Sequence, residues 1–178
     1  MWFCMMAQMA DFTIALAGNP NAGKTTIFNA LTGLHQHTGN WPGKTVEKKE
    51  GEIKFGDLNI NIVDLPGTYS LTAYSPEEIV ARDYIIEERP DVVINVVDAT
   101  NLERNLYLTV QILELDVPVV LALNMTDALQ KDGAKIDLEN LSRLLGEIPV
   151  VSTTANRGAG ITELISKAVE ASGKRVMA

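Results

Sequence analysis

Eight consecutive residues, Gly18-Asn19-Pro20-Asn21-Ala22-Gly23-Lys24-Thr25, carry the first chemistry in this chain. They satisfy the pattern G-x-x-x-x-G-K-[ST], in which backbone N–H groups surround phosphate oxygens at the mouth of a helix. The glycines permit the tight fold, the Lys24 ammonium suits β- and γ-phosphates, and the Thr25 hydroxyl suits Mg²⁺. A glycine-containing turn could match by chance. The flanks argue otherwise: Phe12 to Ala17 is a short apolar run of strand character, and Thr25 to Thr32 places apolar residues at helical spacing.

Two further aspartates extend the pattern. Asp64-Leu65-Pro66-Gly67 ends an alternating strand, where the carboxylate can hold Mg²⁺ through water and the Gly67 N–H can reach a γ-phosphate. Taken alone, the same tetrapeptide also reads as an ordinary turn. Asn124-Met125-Thr126-Asp127 ends an apolar strand. The Asp127 carboxylate can accept hydrogen bonds from guanine N1–H and its 2-amino group, whereas adenine would leave it unpaired. A site that pairs polar groups in this way rejects the analogue by on the order of 10⁴-fold. At the end of the last strand, the Thr153-Thr154-Ala155 amides are placed to receive guanine O6.

The elements that must position these residues alternate along the chain. Ile53–Phe55 and Leu58–Ile62 flank Gly56-Asp57, a two-residue hairpin turn. Ser75-Pro76-Glu77-Glu78 starts a helix, with Ser as N-cap and acidic residues in the first turn, which ends at Glu88 before Pro90. Val92–Val97 is a buried strand, Leu102–Leu115 a helix, Val119–Leu123 a strand and Leu138–Leu145 a helix. Pro149–Val151 forms the last strand and Ile161–Ala171 the last helix. The order predicts an α/β fold of the P-loop type: a mostly parallel six-stranded sheet with one antiparallel strand and helices on both faces. Ligands then bind beyond the carboxyl ends of the strands.

Composition bounds the function. With 178 residues, 46% of them hydrophobic, the chain suffices for one sizeable core. A net charge of −8 disfavours a nucleic-acid surface. Cys4 is the only cysteine, so no internal disulfide forms and a reducing compartment is the default. The apolar run Val117–Leu123 is broken by Pro118 and is far shorter than the ~18 residues of a membrane span. Residues 1–10 read as a leader with a native start at Met9, or, less simply, as a methionine-rich soft-metal site. Residues 11–172 form the nucleotide-binding domain and 173–178 a tail. His35, His37 and Cys4 fit no metal-ligand spacing, and Glu77 and Glu78 read as capping charges rather than catalytic acids.

The sequence resembles the translation-factor-related GTPases, to which Ras is similar in plan, and more narrowly the cytosolic G domain of the ferrous iron transport protein B family. The resemblance rests on the loop above and on Gly39-Asn40-Trp41-Pro42-Gly43-Lys44-Thr45-Val46-Glu47, similar to that family's first switch except at Lys44, where an aliphatic residue is usual. It rests also on Asp64 to Leu71, Tyr74 to Glu78, Asn101 to Tyr107 and Leu123 to Asp127, and it covers Phe12 to about Ala171.

The resemblance implies a GTP/GDP switch that regulates ferrous iron transport, on the cytoplasmic face of the membrane. The helical and permease portions of the same polypeptide would lie outside this stretch. It implies nucleotide contacts from Gly18 to Thr26, from Gly43, Lys44 and Thr45, and from Asp64, Gly67, Asn124, Met125, Asp127 and Thr153 to Ala155. Lys24, Thr45, Gly67 and Asn21 would act in hydrolysis, with Mg²⁺ on Thr25, Thr45 and Asp64. Thr45 would order a mobile first switch only with triphosphate bound. K⁺ would sit on Asn21 and the carbonyls of Gly39 and Trp41; the lesser reading of Asn21 is a turn residue tolerating unusual φ. Thr68 stands where Ras has its water-orienting glutamine, so intrinsic turnover near or below the order of 10⁻³ s⁻¹ is expected. Met125 in place of the usual lysine implies weaker binding and faster exchange. A soluble GTPase of RNA or ribosome maturation is the alternative, a binding module without appreciable turnover is another, and association of chains as a homo-oligomer through the switch face stays open.

Overall fold

The computed structural model describes residues 12–131 and 133–173; the leader, Cys4 and most of the tail lie outside the described residues. Its centre is a seven-stranded sheet in the order β2-β3-β4-β1-β5-β6-β7. Strands β1 (Phe12–Gly18), β4 (Leu58–Asp64), β5 (Val92–Asp98), β6 (Val119–Asn124) and β7 (Val150–Ser152) run parallel. Strand β3 (Glu47–Phe55) is antiparallel to β4, and β2 (Gln36–Asn40) is antiparallel to β3, so β3 alone runs against the rest.

The central strands are apolar on consecutive positions because both faces are covered. Ile14, Leu16, Ile62, Ile94 and Val96 pack under α1 (Lys24–Thr32) and α6 (Ile161–Ala171). Ala15, Val63 and Val93 face the other way, under α2 (Pro76–Asp83) and α3 (Leu102–Leu113). Leu121 and Leu123 meet α5 (Leu138–Leu144), and a short α4 (Thr126–Lys131) follows β6. The β3–β4 turn closes Phe55 onto Leu58, with Gly56 at φ 60°.

Two expectations change. The sheet has seven strands rather than six, because Gln36–Asn40 joins its edge. That segment is polar and mostly exposed, so it pairs through its backbone and the Gln36 amide, which donates to Asn29, Thr32 and Gly33 on or just beyond α1. An edge strand without a buried face leaves no alternation to read. Second, the helix from Ser75 keeps its α-helical form only to Asp83. One wider turn (Tyr84–Glu88) follows, and Arg89 at φ 45° ends the helix before Pro90.

The start of α2 is a reciprocal cap. Ser75 Oγ accepts from Glu78 N at 3.2 Å, while Glu78 Oε2 accepts from the Ser75 and Tyr74 amides. Glu78 Oε1 also takes the Ser70 hydroxyl at 2.8 Å, so one carboxylate gathers the loop ahead of the helix. These bonds, that from Ser70 foremost, hold the Glu78 carboxyl below the ordinary carboxylate range. A lowered folded-state pKa gives stability that is present above the unfolded value, about 4.3, and is lost as pH falls through the folded value. Ser75→Ala should cost about 1 kcal/mol, read as a melting point about 2–4 °C lower. Glu78→Gln should lower the melting point at pH 7 and lose that deficit as melts are taken down through pH 4; a deficit independent of pH would contradict the charge assignment.

Candidate phosphate and base site

Helix α1 begins without a side-chain cap. Its N-cap is Gly23 at φ 92°, and no side chain accepts from the first-turn amides, in contrast to α2 and α5, which Ser75 and Asp137 cap. An open helix start with a positive dipole end is where an anion binds. A side chain at Gly23 is excluded twice, by the left-handed φ and by the Asn124 amide nitrogen, which would lie 2.1 Å from an added Cβ.

Lys24 and Asp64 are both nearly buried, 8% and 7% exposed, and their ammonium and carboxylate form an ion pair. The pair joins the phosphate loop to the end of β4. Each group compensates the other's desolvation, and an incoming polyphosphate with a hard cation could take over both. Thr25 is exposed at the same helix start, so its hydroxyl is free to join hard-oxygen ligation. Gly67 sits against the loop: an added Cβ there would be 3.4 Å from Pro20 Cα. Thr68 is turned inward at 5% exposed; its N–H donates to Gly18 O at 3.2 Å and its hydroxyl to Ser70 O. It therefore has no free hydroxyl to offer a water above the phosphates.

The base side is organised by Asn124, 3% exposed. Its Nδ2 donates to Ala22 O at 3.0 Å, and its Oδ1 accepts from Thr153 Oγ1 at 3.2 Å and Ala155 N at 3.1 Å. Thr126 Oγ1 donates to Thr153 O and accepts from Ser152, closing β6 to β7. A cavity of about 230 Å³ opens here, lined by Thr26, Asn124, Met125, Asp127 and Ala155. Met125 has φ 61°, and its carbonyl accepts the first amide bonds of α4. Asp127 thus stands in the first turn of α4, with Arg157 Nη2 3.7 Å from its Oδ2.

The structure bears on one expectation about donors. The amides of Thr153, Thr154 and Ala155 are engaged inside the protein, by Leu123 O, Ala159 O and Asn124 Oδ1 respectively. The next residue, Asn156, lines the cavity instead. Nothing in the sequence singled out Asn156 or Arg157, because their approach to Asp127 arises from a loop after β7 folding against one after β6.

The first-switch segment makes several contacts of its own. Gly39 pairs with Lys48 in the β2–β3 ladder, Trp41 N donates to Val46 O at 2.9 Å, and Lys44 N donates to Trp41 O at 3.0 Å. Trp41 is buried, edge-on to Tyr84 at 5.3 Å and under Lys48 at 5.0 Å. Lys44 reaches Asp83 at 3.7 Å, and Thr45 is exposed. Gly43 lies within the same hydrogen-bonded turn at φ 69°. Asn21 takes φ 67°, so its side-chain type is already accounted for by the left-handed turn it makes. Among the described residues no group of three or more His, Cys, Asp or Glu side chains is placed to hold a metal ion.

Comparison with known proteins places this geometry. The family model "Ferrous iron transport protein B" matches residues 12–168. A Porphyromonas gingivalis Fe(2+) transport protein A/Fe(2+) transporter FeoB fusion protein is 57% identical over 85% of this chain and 18% of its own length. The Fe(2+) transporter FeoB of Escherichia coli is 52% identical over 88% of this chain and 21% of its own. The chain thus spans about a fifth of these relatives. Among solved structures, the FeoB G domain of Methanococcus jannaschii is 48% identical with a TM-score of 0.81, covering 93% of this chain and all of that one. An S. thermophilus NFeoB mutant bound to GDP is 51% identical with a TM-score of 0.86, over 92% of this chain and 64% of that one. The fold is that of these G-domain structures, and the chain belongs to the ferrous iron transport protein B family.

Proposed function

We propose that this domain binds GTP and hydrolyses it to GDP and phosphate, and that it serves as the nucleotide switch of a longer Fe²⁺ transporter on the cytoplasmic face of its membrane. The observation that carries the reading is the convergence, at the carboxyl ends of β1, β4, β6 and β7, of an uncapped helix start, a buried lysine–aspartate pair and a partly exposed aspartate beyond a braced asparagine. Phosphate, cation and guanine each find a partner there. The GDP held by the S. thermophilus relative supports the same ligand class.

In hydrolysis a water oxygen bonds to Pγ as the bridging bond to the β-phosphate breaks; the water proton passes to phosphate oxygen, and GDP leaves. The loop amides and Lys24 would hold the β- and γ-phosphates, and the Gly67 N–H would steady the γ-phosphate. Thr25, Thr45 and Asp64 are hard oxygen donors of the kind Mg²⁺ takes, and the ion supplies charge neutralisation between phosphates. Asn21, Gly39 and Trp41 would hold a K⁺ ion through a side-chain carbonyl and two backbone carbonyls, that of Trp41 while also accepting from Lys44 N. With Thr68 turned inward, no side chain at that position orients the water, which supports slow intrinsic turnover. Among the described residues no helix is long and apolar enough to cross a membrane, so the permease portion would be carried by other parts of the polypeptide.

Asp127→Asn should weaken GTP and GDP binding by at least 10²-fold and gain xanthine nucleotide, as read by calorimetry; an unchanged preference for guanine would overturn the base assignment. Turnover in KCl should exceed turnover in NaCl by more than tenfold, and Asn21→Ala should abolish that ratio. Equal rates in the two salts would remove K⁺ from the mechanism while leaving nucleotide binding intact.

A further inference from the structure

One cation beside the phosphate loop has no part in the mechanism above. Arg104 is the third residue of α3, where a positive charge opposes the helix dipole. Among the described residues it has no carboxylate partner; its guanidinium instead lies over the ring of Tyr69, 4.3 Å from the centroid. Arg104 is exposed and Tyr69 is 43% exposed, so the contact lies at the surface. The two side chains line a cavity of about 160 Å³ whose other wall is the phosphate loop itself, through Asn19, Pro20 and Asn21.

Tyr69 is placed where a small force matters. The chain from β4 is pinned to the loop strand by Leu65 N to Leu16 O at 3.0 Å and by Thr68 N to Gly18 O at 3.2 Å. Beyond it, Ser70 is tied to Glu78 at the start of α2. Gly67 lies between the first two pins, against Pro20, and Tyr69 lies just past the second. Helix α3 holds this segment at two points: Gln111 Oε1 accepts from Leu71 N at 2.8 Å, and Arg104 lies over the Tyr69 ring, the contact nearer Gly67. The first turn of α3 is itself fixed to the end of β5, since Asn105 accepts from Asp98 N and donates to Asn101 O. Arg104 therefore projects from a rigid base.

We propose that Arg104 is a positioning residue for the γ-phosphate donor: by stacking on Tyr69 it keeps Gly67 pressed to the phosphate loop. The inference rests on the reading of Gly67 as a donor to the γ-phosphate. Because a diphosphate does not use that donor, the arginine discriminates between the two nucleotide states. An exposed cation–π contact is weak enough to be remade during a reaction cycle, and its loss corresponds to about 2- to 5-fold in an equilibrium constant.

The test measures, in Mg²⁺ and KCl, the Kd of GDP, the Kd of a non-hydrolysable GTP analogue and the single-turnover rate. Arg104→Ala and Tyr69→Ala should each weaken the analogue and slow turnover by about 2- to 5-fold, with the GDP Kd unchanged. Tyr69→Phe, which keeps the aromatic face, should behave as the parent protein, and the double Arg104→Ala/Tyr69→Ala variant should be no worse than either single one. Equal losses for GDP and the analogue, additive losses in the double variant, a Phe variant as impaired as the Ala one, or no loss in any of them would each overturn the proposal. Failure of the unaltered protein to bind either nucleotide would instead remove the GTPase reading, and this inference with it.

Discussion

The site depends on a single buried amide. Asn124 lies at the end of β6, yet its side chain reaches the carbonyl of Ala22 in the phosphate loop and accepts from the loop after β7. With its donor and acceptor ends used on different segments, it ties the phosphate loop to the loop after β7, the two parts proposed to take phosphates and base. Gly23 has to be glycine for the same reason, since the amide occupies the space of a side chain. A buried polar group satisfied in this way is worth more as a constraint than as stability. Removing it would leave the Ala22 carbonyl and the Ala155 amide without their partner.

The charges follow a similar logic. Lys24 and Asp64 sit in surroundings too dry for either alone, and their pairing makes the apposition of the loop and β4 tolerable. Each is also the residue type a Mg²⁺-polyphosphate needs, the ammonium for the anion and the carboxylate for the cation. Under the proposed function, ligand binding would be an exchange of partners between these two charges rather than the burial of new charge.

The two switch segments are mechanically joined. Trp41 and Lys44 of the first rest on Tyr84 and Asp83 at the end of α2, and Glu78 ties the second to the beginning of α2. A shift of α2 therefore acts on both.

Most of the parallel sheet and the phosphate loop were legible in the residues, because their cause is local. Val92–Val97, but for Asn95, and Val119–Leu123 are apolar because two layers cover them, and a glycine-lysine loop between strand and helix has few other uses. Ser75 and Glu78 announced their helix through a bond that spans three residues. Tertiary structure alone decided what depends on segments far apart in the chain. Gln36–Asn40 becomes a strand only because β3 offers it an edge, and Trp41 is anchored by Tyr84, Lys48 and Val46, two of them from other elements. The Thr153–Ala155 amides are drawn inward by Leu123, Asn124 and Ala159, and Arg104 finds Tyr69 across a gap that neither α3 nor the loop after β4 encloses by itself. Local pattern encodes which elements form; the pairing of exposed or polar groups between elements is set by where the packed core leaves them.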